Sequence, residues 1–209
     1  MDSTSIIVVA LLGLAFVQPV TAEKAPRKIE KLVAQNIEKA VAKVRVEDDP
    51  LEPIIRITTK YLHKQKSDDL WLEAVIDRDS NKTRFFLAGE IGYIGGLQRF
   101  LAINYPVEGR ITSNDVSQRH ISYKCTSAGA LGRYCYSETL VQHQFDEQKF
   151  EQLASRYIAG STESLPFRLK TNAGENHDHR IYLIEMAALK TKIDEFSSMF
   201  KQDGDQNSK

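Results

Sequence analysis

Two-residue alternation dominates the middle of this chain. Leu72, Ala74 and Ile76 alternate with Trp71, Glu73, Val75 and Asp77, and Ile121, Tyr123 and Cys125 alternate with His120, Ser122 and Lys124. Cys135, Ser137, Thr139, Val141, His143 and Phe145 then share one face of a long extended segment. A period of two sends successive side chains to opposite faces of a β-strand, whereas an amphipathic helix repeats near 3.6. The central part of the chain is therefore expected to be sheet. Residues 54–62, dense in β-branched side chains, read as a first strand, residues 71–77 as a second, and residues 84–93 as a third. With the turn-rich Asp79-Ser80-Asn81-Lys82 between the last two, these three predict an antiparallel meander. Gly95-Gly96 predicts a hairpin leading to residues 97–105, and residues 108–117 read as a polar loop.

Helical periodicity flanks this region. Ile29, Leu32, Val33, Ile37, Ala40, Val41 and Val44 recur at spacings of three and four, predicting one amphipathic helix over residues 26–45 that Asp49-Pro50 stops. Asp146 is placed to cap a helix bearing Phe150, Leu153, Ala154, Tyr157 and Ile158, with Gly160 after it. Leu165 to Thr171 reads as a short strand, Asn172-Ala173-Gly174 as a turn, and Tyr182, Met186, Leu189, Ile193, Phe196 and Phe200 as a last helical stripe. Strands followed by helices predict an α+β fold, an antiparallel sheet of about five to seven strands with amphipathic helices packed on it. The organisation expected is a signal peptide over residues 1–22, an N-terminal amphipathic helix over 23–46, a single α+β domain over 47–201 and a polar disordered tail over 202–209.

The signal peptide is read from the apolar run between Ile6 and Val17, followed by Pro19 and the small-residue site Val20-Thr21-Ala22. The run is shorter than the ~20 residues of a membrane helix, so no stable membrane insertion is expected after cleavage near Ala22. The first five residues carry no Lys or Arg, and the competing reading is an uncleaved anchor. Only two cysteines occur, Cys125 and Cys135, and an oxidising compartment lets them pair. Together these predict a periplasmic or secreted protein. With 28 basic residues against 28 acidic ones, nothing predicts a nucleic acid as partner.

Several local stretches carry a resemblance. Asp48-Asp49-Pro50-Leu51-Glu52, Trp71-Leu72-Glu73-Ala74-Val75-Ile76-Asp77-Arg78, Ala102-Ile103-Asn104-Tyr105, Tyr136-Ser137-Glu138-Thr139 and Phe167-Arg168-Leu169-Lys170 resemble a group of uncharacterised exported, periplasmic proteins of Gram-negative bacteria. The resemblance implies a compartment and no activity. This chain departs from the group at Glu73, where a basic residue is expected, at Leu97, where tryptophan is expected, and in its additional helix at residues 28–45.

Chemistry-bearing candidates are few. In Glu175-Asn176-His177-Asp178-His179 the two His project from one side of an extended segment, so His177, His179 and Glu175, or Asp178 in place of Glu175, form a candidate metal set, set in what reads as a solvated turn. Cys125 and Cys135 with His120 or His143 are a second metal option, opposed by disulfide formation. Gly89, Gly92, Gly95 and Gly96 lack the G-x-G-x-x-G and G-K-[ST] frames of phosphate loops and read as structural. Glu73, Asp77, Arg78, Arg84, Glu90 and Arg99 outline a polar face that either binds a ligand or is ordinary paired surface. No catalytic residue and no cofactor is predicted. The expected function is a non-catalytic periplasmic binding or accessory protein. The alternatives are a metal-dependent envelope hydrolase using His177 and His179, or an interaction module that docks an envelope partner through residues 26–45.

Overall fold

A computed structural model describes residues 25–60, 62, 68–127 and 133–206, so the signal peptide expected over 1–22 and residues 207–209 lie outside the described residues. In chain order the elements are α1 (Arg27–Ala34), α2 (Ile37–Val41), β1 (Arg45–Glu47), β2 (Ile54–Thr58), β3 (Asp68–Asp77), β4 (Thr83–Ile94) and β5 (Phe100–Val107). They continue with β6 (Arg110–Asp115), β7 (Ser117–Ser127), β8 (Arg133–Phe145), α3 (Glu147–Ser155), β9 (Ser164–Thr171), β10 (Asn176–Tyr182) and α4 (Leu183–Gln206). The fold is α+β, with two antiparallel sheets rather than one: β1-β2-β3-β4-β8-β7 and β10-β9-β5-β6.

The meander β2-β3-β4 forms as the sequence predicts. Its second turn is held by Asp77, whose Oδ1 accepts from both the amide and the hydroxyl of Ser80 at 2.8 Å. These bonds hold the Asp77 carboxyl below its ordinary range.

The Gly95-Gly96 hairpin does not form. β4 is paired with β3 on one edge and with β8 on the other, from Phe85 opposite Phe145 to Ile94 opposite Tyr136, so it has no edge left for β5. The chain instead crosses to the second sheet through Gly95, whose φ of +123° favours glycine and whose amide donates to the Cys135 carbonyl at 2.9 Å. The polar loop expected over residues 108–117 is also corrected. Glu108 (φ 49°) and Gly109 (φ 76°) make a two-residue left-handed turn whose twist suits a hairpin, and β6 returns along β5 with Val107 opposite Arg110.

The helix expected over residues 26–45 is broken in two. Asn36 adopts φ 80° and ψ 154°, outside both the right- and left-handed helical regions, and its Oδ1 accepts from the Ile37 amide at 2.6 Å to start α2. Beyond α2 the chain extends, and Arg45–Glu47 pairs with β2. The break lets the apolar stripe follow the body of the protein: Ile29, Leu32, Val33, Ala40, Val41 and Val44 are all buried in the common core. Each large aliphatic side chain buried this way contributes about 1.5–3 kcal/mol.

That core is continuous. Leu70, Leu72 and Ile91 of the first sheet, Ile103, Leu169 and Ile181 of the second, and Met186 and Leu189 of α4 are essentially inaccessible. α4 packs on β2, β3 and β10 and against α2 and α3. Phe150 of α3 stacks on Phe85 with ring centroids 4.1 Å apart, and Asp146 caps α3 by accepting from the Lys149 amide at 3.1 Å. α4 runs to Gln206, so residues 202–206 are helical where a disordered tail was expected.

Candidate functional site

His177 and His179 stand on a strand, not in a solvated turn. In β10 the side chains of His177, His179 and Ile181 share the face paired with Leu169, Phe167 and Leu165, which looks into the space between the sheets, while Asn176, Asp178 and Arg180 face outward. The two imidazoles stack at 6.4 Å between centroids with 13° between planes. His177 also lies against Phe100 at 5.4 Å and Tyr93 at 6.2 Å, and His179 against Phe167 at 5.6 Å.

Around them runs a chain of polar contacts that joins the sheets at the crossover end. Gln98, buried, donates from Nε2 to Glu175 Oε2 at 2.6 Å, and its Oε1 lies 3.5 Å from His177 Nε2. The Gln98 amide donates to Tyr93 Oη at 3.0 Å, Tyr93 Oη lies 3.1 Å from Thr139 Oγ1, and Thr139 Oγ1 lies 3.0 Å from His120 Nδ1. The Phe100 amide donates to Gln118 Oε1 at 2.6 Å. Gln98, Gln118 and Thr139 carry this network, and neither glutamine belongs to a motif in the sequence. The only available signal was two glutamines flanking a sheet-to-sheet crossing.

The structure does not bring the candidate metal set together. The Glu175 carboxylate is engaged by Gln98, and near-parallel stacked imidazoles aim their in-plane lone pairs along separate planes rather than at one point. Among the described residues no group of three His, Cys, Asp or Glu side chains is arranged to hold a metal ion. Asp178 points the other way and is gripped by Arg168, Nε to Oδ1 at 2.5 Å and Nη2 to Oδ2 at 2.8 Å. That grip holds the Asp178 carboxyl below its ordinary range and raises the guanidinium.

A second polar group crosses the interface deeper in. His143 of β8 is buried, with Nδ1 3.1 Å from the Asp115 carbonyl oxygen and Nε2 3.2 Å from Tyr105 Oη. A carbonyl only accepts, so Nδ1 carries the proton and Nε2 accepts from the Tyr105 hydroxyl. Burial pushes the His143 pKa below the ordinary histidine value, aided by the charge of Lys149 and opposed by the Asp115 carbonyl. Burial likewise raises Tyr105, with the Asp146 charge adding to it. Both imidazole nitrogens are occupied, and the pair clasps the two sheets.

The polar face of the first sheet is internally paired. Arg56 meets Glu73, Lys60 Nζ lies 2.9 Å from Glu90 and 4.2 Å over the Trp71 ring, and Arg78 binds Asp48 and the carbonyls of Glu52 and Asp49. Arg84 acts on Asp77 through its charge, and the Arg99 amide donates to Asn172 Oδ1 at 2.9 Å. The glycines are structural: a Cβ on Gly89 would stand 2.3 Å from Leu70 Cδ2, and one on Gly92 would stand 1.9 Å from the Tyr136 hydroxyl. At the opposite end a shallow hollow of about 240 Å³ lies between the Glu108-Gly109 turn, Arg156 and Leu183, with Arg156 turned to Glu163. Between the sheets, Leu70, Ile103 and Phe167 border a hollow of only about 10 Å³.

Cys125 and Cys135 lie directly opposite one another in the β7–β8 ladder with their sulfurs bonded at 2.06 Å, which removes them from the thiolate metal site weighed with His120 or His143. Around this pair the sheet end exposes apolar side chains: Ile94 and Tyr136 face each other across β4 and β8, and Tyr123 and Ile121 stand out from β7. Among the described residues no helix is long and apolar enough to cross a membrane. Fold and site define the class, an α+β protein of two packed antiparallel sheets with polar contacts between them and a disulfide-tied arm. No family model, no curated protein and no solved structure matches the chain.

Proposed function

We propose that this protein is an exported, non-catalytic binding or accessory protein of the bacterial envelope, and that the disulfide-tied β7–β8 arm is its contact surface. The observation that carries this reading is the arm itself: Ile94 is 73 % and Tyr136 40 % exposed on one face and Tyr123 52 % on the other, beside a covalent tie. Exposed tyrosines offer large contact area at low conformational cost, and a tie holds them in place before binding. A disulfide suits an oxidising compartment, in keeping with the leader-like residues 1–22 and with the resemblance to exported proteins. Tyr105 with His143, Gln98 with Glu175 and Tyr93 with Thr139 are hydrogen-bonded to one another, which suits a scaffold. The N-terminal stripe lies in the core, so an interaction through residues 26–45 has only their polar face to use.

The test has two arms. Intact mass of the protein recovered from the periplasm should show cleavage after Ala22 and one disulfide. A photo-crosslinking residue at Tyr123 or Tyr136 should give a discrete adduct in the envelope that the same probe at Glu151 of α3 does not. A reduced, full-length cytoplasmic product, or identical patterns from arm and helix, would overturn the reading.

A further inference from the structure

β7 ends the first sheet, so its far edge has no strand beside it among the described residues. It is eleven residues long, and a long open edge invites another strand. Its side chains narrow what that strand can be. Between His120 and Ser122 the ladder with β8 shifts register, leaving Ile121 as the extra residue of a bulge. The bulge resets the alternation, so Arg119, opposite Leu140, and Lys124, opposite Tyr136, stand on the same face although five residues apart. β7 contains no acidic residue, and neither Arg119 nor Lys124 has an ion-pair partner among the described residues. Of the carboxylates on that face, Glu138 lies one strand inward and accepts from Ser122 Oγ at 3.2 Å, and Glu90 lies one strand further in and is paired with Lys60.

We infer that the open edge of β7 takes up an extended acidic segment of a partner protein as an added antiparallel strand, with carboxylates meeting Arg119 and Lys124. Main-chain bonds along an edge supply affinity without regard to sequence, and the side chains select. A second copy of this chain is the occupant the charges oppose. Antiparallel self-pairing centred between Ile121 and Ser122 sets Arg119 opposite Lys124 of the other copy, and like charges directly opposed are unfavourable. The bulge and the two cations that guard the edge against self-association are thus the features an acidic strand complements. The inference rests on the binding reading above and narrows it to one edge and one partner chemistry.

The experiment uses the mature chain and three labelled peptides of about ten residues, the length of an ordinary strand. Each alternates threonine with one other residue: glutamate, lysine or serine. Fluorescence anisotropy should show the glutamate peptide binding at least about tenfold more tightly than the lysine peptide, since attraction is exchanged for repulsion at two positions. The preference should shrink at high salt, and the double variant Arg119→Glu/Lys124→Glu should reverse it. Hydrogen exchange of β7 amides should slow in the complex. Equal binding of all three peptides, no binding by the glutamate peptide, or a β7-mediated dimer in ultracentrifugation would each overturn the inference. The photo-crosslinks from Tyr123 and Tyr136 would stand or fall separately, so loss of the strand-addition idea is distinguishable from loss of the binding reading.

Discussion

His143 should make this protein less stable in mild acid, and replacing it should remove that dependence. Its ring is buried, donates from Nδ1 to the Asp115 carbonyl at 3.1 Å and accepts at Nε2 from Tyr105 at 3.2 Å. Burial lowers its pKa in the folded state, while in the unfolded chain it titrates near ~6.5. The sign follows. As pH falls below ~6.5 the unfolded chain takes up a proton that the folded protein refuses, so the stabilisation present above that pH is lost towards the folded pKa. One proton corresponds to about 1.4 kcal/mol for each pH unit across the interval between the two values. Urea unfolding of the oxidised protein at steps between pH 7.5 and 5 gives the slope directly. His143→Gln keeps a polar side chain and removes the titration, so its profile should be flatter by up to that amount per unit, even if it is less stable throughout. Tyr105→Phe should cost about 1–3 kcal/mol at neutral pH, because it strands the Nε2 lone pair in a buried site. Identical slopes for the native protein and His143→Gln would refute the reasoning, whatever their absolute stabilities.

Three further outcomes are expected. Replacing both cysteines with serine should cost about 2.5–3 kcal/mol in chemical denaturation, the loop-closure term for their separation of ten, while leaving the far-ultraviolet circular dichroism native. Gly89→Ala should lower stability by about 1–3 kcal/mol, because its Cβ would press on Leu70, which is buried; thermal melting reads this, and unchanged stability would count against the packing described. Asp146→Ala should cost about 1 kcal/mol by removing the bond to the Lys149 amide, and Asp146→Asn should recover most of it.

Much of this fold was legible. Wherever the inward residues are apolar, as in Leu70-x-Leu72-x-Ala74-x-Ile76 or Leu165-x-Phe167-x-Leu169, alternation located the strands. The α3 cap at Asp146 and the Cys125–Cys135 tie followed from residue chemistry. What was missed shares one physical cause. In β6 the inward positions are Thr112 and Asn114, and in β10 they include His177 and His179. A strand whose inner face is polar shows no hydrophobic period, so both segments read as solvated loop. The hydrogen bonds that make such a face tolerable, Thr112 Oγ1 to the Tyr105 carbonyl at 3.1 Å or Gln98 to Glu175 at 2.6 Å, involve residues distant in sequence or on another strand. The split at Asn36 was hidden for a different reason: its apolar spacing continues through the break, and only the side chain's capping bond marks it.

The same polar contacts bear on what the molecule can do as a scaffold. A neutral hydrogen bond gained on folding is worth about 1 kcal/mol net, whereas a buried partner left unmade costs about 1–3 kcal/mol. Apolar side chains alone would let two sheets slide with little penalty, but Tyr105–His143, His143–Asp115 and Phe100–Gln118, each joining a strand of one sheet to a strand of the other, are satisfied in a single mutual placement. Sliding by one residue would break several at once, so the sheets are fixed against each other more by the cost of alternatives than by the gain of the native contacts. β4, β7 and β8 carry both ends of this arrangement: their inward residues Tyr93, His120 and Thr139 belong to the network, and the same strands continue outward as the disulfide-tied arm. A partner strand docking on β7 therefore meets an edge held from within the sandwich, and loosening the clasp through Tyr105→Phe should weaken docking without touching a residue at the edge.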